Sequence, residues 1–184
     1  MAVRVRDFPI ARMTADLRTM TVALCFIPVI LGIGAAITQY WVQIMLGIAA
    51  VLVVLLYIAL LLAFRPRSFQ VSERGLRIIW PIRSELLKTA RLKGVERITR
   101  DGFRQRYGLG ARVGAGGMWG GFGLYKTKTV TFRMFTSRTD EAIVVYTTGR
   151  PLLITPADLE GFVTALADLI RPAETPAPSD EGGV

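Results

Sequence analysis

Residues 19–64 read TMTVALCFIPVILGIGAAITQYWVQIMLGIAAVLVVLLYIALLLAF, forty-six positions without one Asp, Glu, Lys or Arg. A bilayer core about 30 Å thick takes about 20 helical residues at 1.5 Å each. The run is too long for one span and suits two with a tight turn between them. Polarity and aromatic content rise together at Thr38-Gln39-Tyr40-Trp41-Val42-Gln43. Tyr and Trp favour the headgroup level, so Tyr40 and Trp41 mark a turn at one interface. The spacing predicts a first helix over Thr19–Thr38 and a second over Gln43–Phe64. A cleaved leader fits the first helix poorly, because the preceding segment is long and contains acids and a second apolar run follows at once.

Working outward, charge is partitioned sharply. The chain has 184 residues, 52% of them hydrophobic, yet its formal charge is +9. Residues 65–140 carry 17 basic and 5 acidic side chains, and residues 141–184 carry 2 and 7. Arg4, Arg6, Arg12 and Arg18 precede the first helix; Arg65, Arg67, Arg74 and Arg77 follow the second; the turn is uncharged. The positive-inside rule then places both termini in the cytoplasm, with Arg65 and Arg67 at the inner membrane surface. Gly32 and Ala36, four apart, give the first helix one small face, which suits close helix packing as well as it reflects ordinary glycine use in membrane helices. With no ionisable residue inside the run, the pair reads as an anchor rather than a transport path.

The counts exclude much chemistry. No His is present, so imidazole-based triads, Cys/His dyads and His-ligated metals are excluded. Cys25 is the single cysteine and reads as a small hydrophobe, so neither an internal disulfide nor a Cys-clustered metal site can form. No cofactor is expected. The glycines from Gly108 to Gly117 lack the Lys-Ser/Thr pair and the following helix that a phosphate-binding loop needs. No nucleophile–base arrangement stands out, which argues against an enzyme, and the anchor and lack of a motif argue against nucleic acid.

After Ser68 the pattern changes to short apolar runs broken by turn signals. Phe69–Val71 and Leu76–Trp80 flank a hairpin turn, and Ser84–Thr89, Gly94–Thr99, Leu124–Lys126, Thr129–Phe135, Ala142–Tyr146 and Leu152–Ile154 follow. These predict about seven antiparallel strands. Between them lies a Gly-rich stretch, residues 102–123, read as a loop or strand connection. A closing helix follows, with Thr155 as N-cap, Pro156 in its first position and Leu159, Phe162, Val163, Leu166, Leu169 and Ile170 on one face. The acidic, Pro-rich stretch 172–184 is expected to be disordered.

Val71-Ser72-Glu73-Arg74-Gly75-Leu76, Gly120-Gly121-Phe122-Gly123 and Leu153-Ile154-Thr155-Pro156-Ala157-Asp158-Leu159-Glu160-Gly161-Phe162 carry a resemblance. In this order they are similar to the opening hairpin, Gly-rich segment and helix start of the bacterial pleckstrin-homology (PH-like) families, including membrane-anchored members. The resemblance covers Phe69–Ile170; Leu159 stands where the family often has Pro. It implies a PH-like antiparallel barrel or sandwich with one C-terminal helix (68–171), which the basic cytoplasmic N-terminus (1–18) and the transmembrane helical hairpin (19–64) read above complete as a membrane-anchored α+β chain. It further implies a non-enzymatic docking surface for a protein partner or a second copy.

The candidate binding residues are Arg97, Arg100, Arg104, Arg106, Arg112 and Trp119. Two readings of the arginines are open: attraction to anionic lipid headgroups, about 1 kcal/mol per basic residue near the surface, or a solvated basic face. Trp119, with Met118, Phe122 and Leu124, either packs on the sheet or forms an apolar tip against bilayer or partner. A lipid-sensing or remodelling role, and an accessory subunit of a membrane transporter or enzyme complex, are the competing functions.

Overall fold

The computed structural model describes residues 5–114, 116 and 119–171. Two long helices stand beside a two-sheet domain. Helix α1 covers Ala15–Ile37 and α2 covers Tyr40–Phe64. At 23 and 25 residues they are about 35 Å long each, enough to cross a bilayer core. α1 starts at Ala15 rather than Thr19, because Asp16 and Arg18 are compatible with a solvated first turn. α2 starts at Tyr40 rather than Gln43, so the turn shrinks to Thr38-Gln39 and both aromatics lie in the first turn of α2. Pro28 sits inside α1. Its missing N–H frees the carbonyl of Leu24 four residues back, and the Tyr57 hydroxyl on α2 donates to that carbonyl at 2.9 Å.

The first sheet is antiparallel, in the order β1 (Arg6–Pro9), β2 (Ser68–Ser72), β3 (Gly75–Ile79), β4 (Ser84–Lys88). Strand β1 is not evident in the sequence, where residues 1–18 read as a charged leader. Its register puts Phe8 opposite Phe69, and Phe8 is buried in the core. The second sheet comprises β5 (Leu92–Thr99), β6 (Ala111–Val113), β7 (Gly121–Lys126), β8 (Thr131–Thr136), β9 (Glu141–Thr147) and β10 (Leu152–Ile154). Its spatial order is β5-β9-β10-β8-β7-β6. The turn after β9 folds β10 back into the slot between β9 and β8. There it runs antiparallel to β9 and parallel to β8, so the sheet is not purely antiparallel. The two sheets do not close into a barrel; they pack as a sandwich.

The main core lies between the sheets and is capped by α4 (Leu159–Ile170), with Phe69, Ile78, Ile143, Ile154 and Phe162 fully buried. α4 begins later than the Thr155/Pro156 start read from sequence: Asp158 is the N-cap and its carboxylate accepts from the Gly161 N–H at 2.9 Å. Thr155 is instead buried, its hydroxyl accepting from the Ser137 N–H at 2.8 Å. A second core, Ile98, Phe103, Phe132, Val144 and Leu153, lies on the outer face of the larger sheet under α3 (Arg100–Tyr107). Covering both faces explains why Ile143-Val144-Val145 and Leu152-Leu153-Ile154 are continuous apolar runs rather than alternating ones. Helix α3 replaces what the sequence presents as the start of a loop. Residues 172–184, with the expected disordered tail, and Met118 lie outside the described residues.

Candidate functional site

The domain is fastened to the helix pair at three places. Trp80 follows β3, and its indole N–H donates to the Phe64 carbonyl at 3.2 Å. The guanidinium of Arg83 stacks over the Trp80 ring at 4.5 Å and donates to the Ala63 carbonyl at 3.2 Å. Both satisfy carbonyls that the end of α2 leaves without intrahelical partners. On α1, the Thr21 hydroxyl accepts from the Trp119 N–H at 2.9 Å, and the Trp119 ring meets the Tyr57 ring edge-on at 6.5 Å. Trp119 adopts φ 57°, a left-handed conformation unusual for a large side chain. It packs against the core as well as the helices and so joins sheet and hairpin.

Beside this junction a cleft of about 210 Å³ opens between α3, the ends of β5, β7 and β8, and the first turn of α1. Its floor is apolar, formed by Ile98, Phe103, Met134 and Leu153. Arg100 and Arg104 from α3 and Arg112 from β6 line it, and Leu17 of α1 closes one side. Local sequence explains these positions. The Thr99 hydroxyl accepts from the Gly102 N–H at 3.2 Å and starts α3. Phe103 anchors that helix against Phe132, ring centroids 5.2 Å apart. Arg112 lies across β7, where the strand is bare: a Cβ at Gly121 would sit 3.0 Å from the Arg112 Cζ.

The acids at the rim are already matched. Arg138 pairs with Asp140 through both carboxylate oxygens, and this hydrogen bonding holds the Asp140 carboxyl down at about 2. Arg97 donates to Glu141 at 2.7 Å and to Glu160 at 3.2 Å. Arg100, Arg104 and Arg112 make no ion pair among the described residues. The cleft therefore presents three uncompensated guanidiniums above an apolar floor, an arrangement suited to an anion with some apolar bulk.

The structure divides the sequence-derived residues. Arg100, Arg104 and Arg112 converge on the cleft. Arg97 is engaged at its edge. Arg106 faces away, paired with Glu96 at 2.6 Å; Tyr146 donates to the same carboxylate at 2.9 Å and contacts the Tyr107 hydroxyl at 2.8 Å. This hydrogen bond raises the affinity of Arg106 for its proton and lowers that of Glu96, so the Arg106 charge is matched within the domain surface. Tyr40 and Trp41 are exposed at the turn end of the helix pair. Arg65 caps the other end of α2, and the backbone of Arg67 joins β3 and Ile10. Leu17, Arg138 and Thr139 also line the cleft and do not stand out in the sequence. The Arg138-Thr139-Asp140 spacing, two opposite charges flanking one residue in a turn, is the available signal for that pair; Leu17 gives none, since only folding brings α1 to the cleft. Among the described residues no three acids or thiols gather as a metal site.

A family model described as a bacterial PH domain matches residues 67–170, more than half of the chain. Neither the curated proteins nor the solved structures contain a match. The matched segment begins just after α2 and ends with α4, so it takes in both sheets except β1. Two long apolar helices followed by this domain make the chain compatible with a membrane-anchored binding module. The sandwich, its closing helix and the extent of the match together establish that the chain belongs to the bacterial PH domain family.

Proposed function

We propose that the protein is a non-catalytic, membrane-anchored module that holds its PH-like domain at the cytoplasmic face of the inner membrane to dock a protein partner or a second copy. The observation that carries this reading is the seam between domain and helix pair. Trp80, Arg83 and Trp119 clamp the sandwich to α1 and α2 in one orientation, whereas a simple tether needs no such contacts. The helices expose large apolar side chains along their length, Ile30, Ile33, Leu52 and Leu55 among them, which is favourable only in lipid or against other apolar surfaces. The arginines flanking both helices orient the termini toward the cytoplasm. The lack of His, the absence of a nucleophile–base constellation among the described residues and the family membership support binding rather than catalysis.

A topology reporter fused after Val184 tests the placement. A fluorescent, phosphatase-inactive fusion is expected; phosphatase activity at that end overturns it. Cross-linked purification of the full chain, compared with a chain carrying an unrelated apolar hairpin, tests the docking role. The same partner in both assigns docking to the domain, and loss with the exchanged hairpin assigns it to the helices, as an accessory subunit would require.

A further inference from the structure

We propose that the cleft between α3, β7 and α1 binds the phosphate of an anionic phospholipid in the leaflet facing the domain. This rests on the reading that α1 and α2 span the membrane. Four observations converge. Arg100, Arg104 and Arg112 line the cleft and make no ion pair among the described residues, while Asp140 and Glu141, which also line it, are held by Arg138 and Arg97. The cleft has the volume for a headgroup and not for a whole lipid: about 210 Å³ is below the roughly 300–1,000 Å³ of ordinary small-molecule pockets.

The third observation is its place along α1. Leu17 forms one wall, and the charge-free stretch begins two residues later at Thr19. The cleft thus opens at the level where the helix passes from water into the hydrocarbon region. Met20, one turn further, is exposed and continues an apolar path for an acyl chain. The fourth is the Gly-rich stretch. A Cβ at Gly116 would come within 3.0 Å of the Arg112 Nη1, and one at Gly121 within 3.0 Å of its Cζ. Gly116 and Gly121 clear the surface so that Arg112 can lie flat and bring its charge to the cleft. Free phosphate monoesters share this chemistry; the apolar wall at Leu17 and the position of the cleft along α1 favour a lipid.

The test uses the full chain in nanodiscs and in detergent. Native mass spectrometry is expected to show phosphatidylglycerol retained in preference to phosphatidylcholine. The R100Q/R104Q/R112Q variant should weaken that retention by about tenfold or more, given the contribution of each basic residue near a lipid surface. The control R91Q/K93Q/R150Q removes the same charge at the opposite end of β5 and β9 and should retain the lipid. R100K/R104K/R112K should recover part of the binding, which separates lost charge from lost folding, as does an unchanged unfolding temperature. Equal loss in cleft and control variants, or no preference for the anionic lipid, overturns the proposal. Displacement by soluble glycerol phosphate at the same concentration as the lipid assigns the cleft to a free phosphate ester and also overturns it. Nanodiscs present both leaflets, so a wrong orientation would fail the reporter test above without changing this result.

Discussion

The Tyr57 hydroxyl donates to the carbonyl of Leu24 at 2.9 Å, the carbonyl that Pro28 leaves without a helical partner. In hydrocarbon an unpaired backbone carbonyl is costly, and a neighbouring helix that supplies a donor lets a proline persist in a span. Y57F should therefore destabilise helix pairing by about 0.5–2 kcal/mol. In a P28A background, where residue 28 regains its N–H, the same substitution should cost almost nothing. Reversible unfolding in mixed micelles measures both; an equal cost in the two backgrounds refutes the link between Tyr57 and Pro28.

Two glycines should behave oppositely. Gly123 has φ +119°, and a Cβ there would lie 2.5 Å from the Val113 carbonyl oxygen. G123A is expected to cost at least about 2 kcal/mol, combining backbone strain with separation of β7 from β6. A Cβ at Gly32 would meet nothing within 4 Å, so G32A should leave stability within about 0.5 kcal/mol of the native chain. Thermal unfolding of both variants decides this, and a neutral G123A would contradict the described path of the Gly-rich strand.

Strand β1 should be part of the folded domain rather than a dispensable leader. Phe8 meets Phe162 edge-on at 5.2 Å, and the Ala11 N–H donates to the Thr155 carbonyl at 2.9 Å. F8A should destabilise the chain by about 3 kcal/mol through an unfilled core. V5A, at an exposed position, should change stability by less than about 0.5 kcal/mol. Denaturant unfolding compares them; an F8A chain as stable as V5A would detach β1 from the core.

Acid should weaken the fold through particular ion pairs. Arg133 donates to both oxygens of Glu85 at 2.7 and 2.6 Å and so joins β8 to β4 across the two sheets. Its hydrogen bond lowers the Glu85 carboxyl below its ordinary 4.5, as Arg138 lowers Asp140 from 3.8 to about 2. The folded state thus binds these protons less readily than the unfolded chain. Their stabilisation is complete above the unfolded values and is lost as pH falls through the lower folded ones. The unfolding temperature should drop between about pH 4.5 and pH 2, and R133M should make that drop shallower. An identical acid profile for R133M and the native chain rules out the Glu85 contribution.

Elements whose signal is local were legible along the chain. The forty-six charge-free residues, with their polar break at Thr38–Gln43, have the length of two spanning helices, and the short apolar runs between Gly- and Pro-marked turns match strands. Hydrophobic spacing from Leu159 to Ile170 did the same for α4. Elements stabilised by distant partners were not legible. Arg6–Pro9 lacks apolar alternation and becomes a strand because β2, sixty residues away, offers an unpaired edge. Arg100–Tyr107 offers a single apolar pair at helical spacing, Phe103 and Tyr107, too little to mark a helix; the two rings hold it on a sheet face that exists only after β8, β9 and β10 assemble. The arginines of the candidate site were all visible, but not which of them are free. Glu96, Glu141 and Glu160 claim Arg106 and Arg97 from other elements, and that selection depends on distances between elements that are set when the two sheets and the helices pack.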